Sequence, residues 1–491
     1  MELTSQFKVK GFHLDLRIQV MTMPALKKFA KELAGFGLNT LIMEWEGAYP
    51  FNKHATISNQ YAYTRDQIKY FIQYCSKCGI DVIPLQQCFG HSEYMLRHYR
   101  YAYLREDQKD ISQICALKKD QAHKLFSEIF SDISSLHPSP FFHVGGDETY
   151  LLGHCKKCSD YVKKHGKSRL FVNYIKMICD IVIGLGKRPI LWADIILKYP
   201  QALSQLPKKT VFIDWNYGWA INNFGNISNL QKQGCEIWGA PALRSSPDNF
   251  YLTCWQKHFN NIKDFIPYAR KAGYKGIIMT SWSTSGEYGY EWDHGWEVKE
   301  IHAIRNVYPL SGFRILLAAY AKAFDQINPI IPVNFVADYA HQRFGLNIDE
   351  STRLWRILNA DSSLIINGKS ENGKSIKSVL GNIDKALCLI MTLKPRINKN
   401  EFEHFKLMLE IRRYYLAIKV IESGVQSSNF TIKQRHSCGR ELKNLFKIAI
   451  NLDKRFHSLN RDFLYDSEIK KENKIRNQAL YLLYNKIAGK K

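Results

Sequence analysis

The feature that most constrains the fold is a regular alternation of short apolar runs with helix-length segments over the first two-thirds of the chain. The runs predict eight strands, at Phe12–Arg17, Asn39–Trp45, Asp81–Gln86, Phe141–Val144, Pro189–Ala193, Val211–Trp215, Glu236–Pro241 and Gly276–Trp282. The segments between them predict helices, among them Pro24–Gly35, Arg65–Cys78, Asp120–Leu136, Arg169–Leu185 and Asn260–Ala272. Strand followed by helix, repeated in this way, is typical of parallel βαβ units and fits an α/β fold of the (β/α)8 TIM barrel type. The spacing leaves little room for helices five and six.

The alternation stops after about Asn328. The remainder has the i, i+3, i+4 apolar spacing of helices, most clearly in Glu401–Ile421 and Arg440–Leu452. The sequence therefore predicts a catalytic barrel over residues 1–330 and a C-terminal all-helical region over 331–491. Asn367–Lys377 is rich in Gly, Ser, Asn and Lys and is predicted to be an exposed loop.

Composition excludes several classes of protein. With 45% hydrophobic and 13% aromatic residues, most of the chain is not disordered. No run of about 18 apolar residues is present, so no membrane association is predicted. The N-terminus lacks the apolar stretch of a secretory signal, which favours a cytoplasmic location. The net charge of +24 is interpreted as a Lys-rich surface, because no nucleic-acid-binding motif accompanies it.

The 11 cysteines include two Cys-x-x-Cys pairs, Cys75/Cys78 and Cys155/Cys158. The first pair lies in a helical pattern that ends at Gly79. For the second pair, reduced thiols are the default interpretation. Zinc is the alternative, with His154 as a further ligand, because a structural zinc site generally needs four ligands.

Active groups of such barrels gather at the C-terminal ends of the strands. At the end of the first strand, alternation places His13, Asp15 and Arg17 on one face. Arg17 there offers its guanidinium to a polyol or carboxylate, or forms an internal ion pair with Asp15. The third strand leads to His91, for which a structural role is the usual alternative.

The fourth strand is the most informative, because two adjacent carboxylates, Asp147 and Glu148, follow two glycines where the strand opens into its loop. The glycines allow neighbouring side chains to leave strict alternation. Two carboxyl groups in different environments can divide into an anion and a general acid, as glycosidic cleavage requires. The alternative is that Asp147 caps a following helix.

The run His143-Val-Gly-Gly-Asp-Glu148 resembles the signature of glycoside hydrolase family 20, the β-N-acetylhexosaminidases, and the residues after it resemble the hexosaminidase D-like branch. Further matching runs occur in order at Gly11–Arg17, Ile83–Leu85, Gly90–Glu93 and Leu191–Asp194, within the predicted barrel.

The resemblance implies an exo-acting retaining hydrolase that removes terminal β-linked N-acetylhexosamine, with the substrate's 2-acetamido oxygen as nucleophile. Glu148 would be the general acid/base, and Asp147 would orient and stabilise the acetamido group. The residues predicted to bind or surround the substrate are Arg17, His91, His143, Trp192, Asp194, Trp215, Tyr217 and Trp282. No metal or organic cofactor is needed for this chemistry, and the partner is the terminal sugar of a glycan or glycoconjugate.

Several alternatives remain open at this stage. The tyrosine that donates to the acetamido oxygen is Tyr217, Tyr251 or Tyr288. The loop Ser283–Gly295 carries Glu287, Glu291 and Asp293 and is a candidate for setting specificity. A two-carboxylate retaining glycosidase, with Glu287 as nucleophile, and a catalytically silent glycan-binding barrel are the competing functions. The tryptophans are interpreted as sugar-stacking walls or as barrel core. The configuration of the sugar, the aglycone and the oligomeric state are left open.

Overall fold

The computed structural model describes residues 7–488 apart from 61, 246–247, 249–250, 252, 284–287, 291–300 and 304–306. The strands are β1 (Val9–Asp15), β2 (Thr40–Glu44), β3 (Asp81–Leu85), β4 (Phe141–His143), β5 (Arg188–Trp192), β6 (Val211–Trp215), β7 (Glu236–Ala240), β8 (Ala242–Arg244), β9 (Gly276–Ser281), β10 (Tyr288–Tyr290), β11 (Ile301–Ala303), β12 (Ile365–Ile366) and β13 (Lys369–Ser370). The helices are α1 (Met23–Gly35), α2 (Arg65–Lys77), α3 (Glu93–Leu96), α4 (Lys119–Ser134), α5 (Lys156–His165), α6 (Lys167–Gly184), α7 (Asp194–Lys198), α8 (Ser228–Gln231), α9 (Trp255–Lys271), α10 (Arg314–Asp325), α11 (Pro332–Phe344), α12 (Ile348–Leu358), α13 (Ile376–Met391), α14 (Lys399–Val425), α15 (Ile432–Asn460) and α16 (Asp466–Ala488).

The central sheet is a closed barrel of eight parallel strands. It runs β1-β2-β3-β4-β5-β6-β7-β9, and β9 pairs in parallel with β1 over Val9–Leu14 to close the ring. The short β8 continues β7 beyond Pro241 and also pairs with β9. Pro241 interrupts the strand because it has no N–H to donate to the ladder. The predicted barrel is therefore confirmed, and the observed strands differ from the predicted ones mainly at their ends.

The barrel helices are uneven around the ring. The four long helices near its start match the predicted segments closely, and α9 begins five residues before its predicted start. After β5 and β6 the α-helices are short, with α7 of five and α8 of four residues, and a 3-10 helix at Pro200–Gln205 follows α7. This confirms the expectation that the spacing leaves little room for helices five and six. The chain that a regular barrel would use for a sixth helix instead forms an aromatic loop at the mouth of the barrel.

Besides a small cluster in the C-terminal region around Val379 and Leu416, two hydrophobic cores lie in and around the barrel. One fills the barrel interior with large side chains from alternate strand positions, including Ile42, Ile190 and Trp238. The other lies between the strands and the surrounding helices, and it runs without a break into α11–α16. Trp192, Trp215 and Trp282 lie at the top of the inner core. The interpretation of these residues as barrel core is therefore compatible with their interpretation as sugar-stacking walls.

The C-terminal region is helical, as predicted, but its helices are longer than their apolar patterns. α14 covers 27 residues and α15 covers 29. The predicted loop at 367–377 is wrong in part, because β12 and β13 form a small hairpin there and α13 begins at Ile376. The hairpin turns on Asn367 and Gly368, which both have positive φ. α11 begins at Pro332, and the boundary at 330 stays a prediction.

The last helix reaches back to the start of the barrel. In the loop after β1, the backbone N–H of Gln19 donates to Glu468 (2.7 Å), and its side-chain amide donates to Glu472 (3.2 Å). Buried Arg244 at the end of β8 donates to Gln19 (2.5 Å) and to the carbonyl of Tyr308 (3.2 Å).

Among the described residues, no helix has both the length and the apolar composition needed to cross a membrane.

Candidate active site

A cavity of about 350 Å³ opens at the C-terminal ends of the barrel strands. Its walls are formed by Arg17, His91, Asp147, Glu148, Trp192, Trp215, Tyr217, Trp219, Asn223, Phe224, Ser245 and Trp282. A larger cleft of about 640 Å³ lies against α1, α10 and α14, outside the barrel and away from these strand ends. The smaller cavity combines apolar walls with convergent charged groups, which is the usual composition of a site for a small ligand.

The turn after β4 presents the two carboxylates to this cavity. Gly145 has a φ of +70°, and a Cβ there would lie 1.9 Å from Oε1 of Gln87, so only glycine fits. Gly90 allows the preceding loop to approach the same turn, since its Cβ would lie 2.4 Å from the carbonyl oxygen of Asp147. Glu148 itself has a φ of +46°. No helix begins at Asp147, so the helix-capping alternative is wrong; α5 starts nine residues later, with Cys155 as its cap.

His91 bridges the two carboxylates. Its Nε2 lies 3.4 Å from Oδ2 of Asp147 and 3.1 Å from Oε2 of Glu148. Burial lowers the pKa of His91, but the neighbouring carboxylates raise it more, so the pKa lies well above its ordinary value of 6.5. Burial raises the pKa of Glu148, whereas the hydrogen bond and charge of His91 lower it to below its ordinary value. These opposite shifts place the proton of this pair mainly on the imidazole.

Asp194 lies behind the catalytic turn. Its Oδ2 accepts a hydrogen bond from the backbone N–H of Glu148 (3.2 Å), and its side chain is buried. Burial, together with the charge of Asp147, raises the pKa of Asp194 to about 7. Asp194 thus fixes the backbone of Glu148. It is not one of the residues that line the cavity in the described part of the chain.

Arg17 approaches the cavity from the loop after β1. Its Nε and Nη2 donate to the two oxygens of Asp15 (2.9 and 3.2 Å), which confirms the internal ion pair. The Ser283 hydroxyl also donates to Asp15 (2.7 Å). Burial would raise the pKa of Asp15, but the Arg17 charge and these hydrogen bonds hold it below its ordinary value. Arg17 therefore lines the cavity as a fixed cation while it neutralises a buried carboxylate.

Aromatic rings form the floor and one wall. Trp192 and Trp282 lie side by side with ring centroids 5.9 Å apart, and the Arg17 guanidinium lies 5.3 Å from the Trp282 ring. Trp215 packs against Phe224 (4.3 Å) and Trp219 (5.4 Å) on the loop after β6. Such flat surfaces suit the apolar face of a sugar ring.

His143 supports this floor from below. It is buried under Trp192, with ring centroids 4.6 Å apart, and its Nδ1 accepts the backbone N–H of Gly145 (3.0 Å). Burial lowers its pKa well below the ordinary value, so it is neutral. Like Asp194, it lies behind the wall. Both residues thus lie behind the side chains that line the cavity, where they hold its floor and the backbone of Glu148. That they bind or surround the substrate stays a prediction.

Of the three candidate tyrosines, Tyr217 lines the cavity. Its hydroxyl accepts a hydrogen bond from the Trp282 indole (2.8 Å). Tyr251 instead packs against Tyr415 of α14, with ring centroids 6.0 Å apart. The Tyr288 side chain and the residues Glu287, Glu291 and Asp293 lie outside the described side chains.

The structure brings together Arg17, His91, Asp147, Glu148, Trp192, Trp215, Tyr217 and Trp282, as the sequence predicts. It adds four wall residues that the sequence reasoning missed, Trp219, Asn223, Phe224 and Ser245. Trp219 follows Trp215 and Tyr217 at every second position, and that aromatic series was an available signal. The one described cluster with the spacing of a metal site, Glu106 with Cys115, Cys155 and Cys158, is not part of this cavity wall.

Comparison with known proteins decides the family. Residues 7–299, more than half of the chain, match the model of the glycosyl hydrolase family 20 catalytic domain. The chain belongs to glycosyl hydrolase family 20. It is therefore a glycoside hydrolase, and its paired carboxylates lie at the C-terminal ends of the barrel strands, where the active groups of such barrels gather.

Individual relatives agree with the family. The chain is 25% identical to hexosaminidase D of Bos taurus over 287 residues, which cover 55% of this chain and 83% of the relative. It is 25% identical to hexosaminidase D of Homo sapiens over 309 residues, which cover 58% of this chain and 62% of the relative. The solved structure of the β-N-acetylhexosaminidase from Bacteroides fragilis NCTC 9343 has a TM-score of 0.51 at 18% identity, over 73% of this chain and 72% of that one. This structural likeness concerns the fold.

Proposed function

We propose that the protein is an exo-acting, retaining β-N-acetylhexosaminidase that uses the substrate's own 2-acetamido oxygen as nucleophile. The observation that carries the proposal is the adjacent pair Asp147 and Glu148, bridged by one imidazole at an aromatic cavity. Family membership and the hexosaminidase relatives support the activity.

Asp147 suits the role of acetamido partner. Its side chain is buried, and its Oδ1 has no hydrogen-bond partner among the described residues. A buried carboxylate oxygen without a partner is costly unless a ligand supplies a donor. We assign that donor as the acetamido N–H, and the negative charge then stabilises the cationic oxazolinium that forms when the acetamido oxygen attacks the anomeric carbon. Tyr217 donates its hydroxyl to the same acetamido oxygen and aligns it for attack.

Glu148 suits the role of general acid and base. Its side chain is 27% exposed at the cavity mouth, so a leaving group and an incoming water can both reach it. In the free site His91 holds the proton, and the 3.1 Å contact provides a direct route to Glu148. Binding of a neutral sugar removes water from Glu148, which raises the pKa of the carboxyl and favours its protonated form. Glu148 then protonates the leaving oxygen and later deprotonates the water that opens the oxazolinium.

The remaining walls position the sugar. Trp192 and Trp282 surround the acetamido methyl and the apolar ring face, and Arg17 donates to hydroxyls at the outer edge of the ring. Because Arg17 is held by Asp15 and stacked on Trp282, it meets the substrate in a preformed geometry. Neither step of the reaction requires a metal or an organic cofactor.

The deciding experiment compares nitrophenyl β-N-acetylglucosaminide and β-N-acetylgalactosaminide with the corresponding glucoside and galactoside. We expect cleavage only of the two acetamido sugars, and inhibition by an acetamido-thiazoline that mimics the cyclic intermediate. Equal cleavage of the plain glycosides would replace the proposal with the two-carboxylate mechanism. Binding of N-acetylglucosamine without turnover of any substrate would instead indicate a glycan-binding barrel.

Two variants test the residue roles. Glu148→Gln is expected to lower kcat about 10²–10⁴-fold on substrates with a poor leaving group, because general acid catalysis is lost. Asp147→Asn is expected to slow formation of the cyclic intermediate even when the leaving group is good. Full activity of both variants would contradict the assignment.

A further inference from the structure

A second chemical cluster lies just beyond the catalytic turn. It consists of Glu106 and Cys115 from the segment between β3 and α4, together with Cys155 and Cys158 at the start of α5. One ligand-type atom from each of the four residues lies within 4.8 Å of the other three. Cys115, Cys158 and Glu106 are buried, at 2%, 0% and 3% exposure. Nothing in the proposed glycosidase mechanism uses these groups.

The distances within the cluster match the edges of a tetrahedral metal site. Thiolates bound to Zn²⁺ at about 2.3 Å lie about 3.8 Å apart, and a thiolate and a carboxylate oxygen lie about 3.5 Å apart. Cys115 Sγ lies 3.8 Å from Cys155 Sγ and 3.5 Å from Cys158 Sγ. Cys158 Sγ lies 3.4 Å from Oε2 of Glu106. Since a disulfide requires about 2.05 Å between sulfurs, these contacts are not disulfides.

Backbone N–H groups at the start of α5 hold two of the four side chains in place. Cys155 caps α5, and its Sγ accepts the backbone N–H of Cys158 (3.4 Å). The other oxygen of Glu106 accepts the backbone N–H of Cys155 (2.8 Å) and is thereby oriented. Within the described chain, Glu106 forms no ion pair with Lys or Arg, so a bound cation would balance its buried charge.

We propose that Glu106, Cys115, Cys155 and Cys158 form a structural zinc site. Zinc fits better than a harder cation because three of the four ligands are sulfur. The closed set of four protein ligands leaves no position for a reacting water, which is typical of structural rather than catalytic zinc. His154, the further ligand considered from the sequence, lies instead against Asp107 (3.1 Å) and is half exposed.

The zinc would join two loops that both carry active-site groups. Glu106 and Cys115 follow His91 in one loop, and Cys155 and Cys158 follow Glu148 in the next. A direct hydrogen bond from the Leu151 N–H to Gln113 (2.8 Å) already connects the two loops. The metal would make this connection rigid and hold the turn of Glu148 against the loop of His91.

The first test is the metal content of the full-length protein, purified with a thiol reductant and without chelators. Inductively coupled plasma mass spectrometry should find close to one zinc per chain in the wild type and almost none in Cys115→Ser or Cys158→Ser. Cys78→Ser is the matched control, because Cys78 belongs to the other Cys-x-x-Cys pair, at the C-terminal end of α2, and this variant should retain the zinc. Wild-type protein without zinc that also fails to bind added Zn²⁺ would overturn the proposal.

A second measurement keeps the test valid if the serine variants do not fold. Replacement of the metal by Co²⁺ in the wild type should give the thiolate-to-cobalt charge-transfer bands of a tetrahedral site, and these should be absent after thiol modification with an organomercurial. Mass spectrometry showing a Cys115–Cys158 disulfide in the native protein would contradict the site. Because these readouts measure metal rather than turnover, they are independent of the proposed hexosaminidase activity.

Discussion

The loops after β1 and β4 both present charged side chains to the same cavity, but they are held in different ways. After β1, Arg17 is enclosed, paired with Asp15 and within 3.8 Å of Glu44. After β4, Glu148 is partly exposed and contacts the imidazole of His91. A change at Arg17 should therefore affect both substrate binding and the stability of the fold. A change at Glu148 should affect catalysis with little effect on stability. Variants on the two sides should therefore differ in kind.

The largest effect is expected at Arg17. Arg17→Met leaves the carboxylate of Asp15 buried without its cation, and removing one partner of a buried ion pair costs about 3–5 kcal/mol. Urea denaturation should show this loss in the free energy of unfolding. Glu148→Gln is the matched control, isosteric and on the exposed side, and should change stability little while it abolishes most activity. Equal destabilisation by both variants would erase the contrast between the loops.

A pH-dependent effect is expected at Asp194, behind the β4 turn. Its pKa is about 7 in the fold and 3.8 ordinarily, so the folded state binds a proton that the unfolded state releases. Stability is then lost as the pH rises from about 4 to 7, on the order of 1.4 kcal/mol per pKa unit. Asp194→Asn should remove this loss, measured as Tm across that pH range. The exposed Asp264→Asn should keep the wild-type profile, and an unchanged profile in Asp194→Asn would refute the assignment.

A smaller effect is expected where the C-terminal helix supports the β1 loop. Gln19→Ala removes hydrogen bonds to Glu472, Arg244 and the carbonyl of Val307. The loss of buried hydrogen-bond partners should lower the free energy of unfolding by about 1–3 kcal/mol and raise KM through Arg17. Exposed Gln201→Ala is the control. A Gln19→Ala variant as stable as the control would show that these side-chain hydrogen bonds do not stabilise the loop.

The subtlest effect concerns the proton shared by His91 and Glu148. The alkaline limb of kcat/KM should lie above 6.5 in the wild type, because the pair as a whole holds the proton. In His91→Asn the proton rests on Glu148 alone, so this limb should move down by about one unit or more. The exposed His123→Asn serves as control. An alkaline limb that stays in place would exclude the shared proton.

The sequence predicted the barrel well because its signal is local. Each buried parallel strand is a short apolar run bounded by turn residues, so β1 to β7 and β9 could be located directly. The sequence did not predict the hairpin of β12 and β13, because strands of two residues are too short to show a periodic pattern. The shortage of helices after β5 and β6 was visible in the spacing, but the use of that chain as an aromatic wall was not.

The sequence predicted which residues lie near the site better than it predicted where each side chain points. Positions at strand ends identified the cavity, whereas the direction of each side chain depends on local backbone angles. His143 and Asp194 therefore proved to lie behind the wall. Likewise, the spacing of Cys155 and Cys158 suggested a metal, but their spatial neighbours Cys115 and Glu106 lie about 40 or more residues away and carry no spacing signal.

The contact between Gln19 and Glu468 has a consequence for the time course of synthesis. The two residues are 449 positions apart. At a translation rate of about 5–20 residues per second, roughly 20–90 s pass between their appearances on the ribosome. During that interval the loop that contains Arg17 lacks its contacts with α16. One edge of β1 likewise stays unpaired until β9 has been synthesised and closes the ring. Over this time the nascent chain exposes apolar surface and an unpaired strand edge, and both favour aggregation.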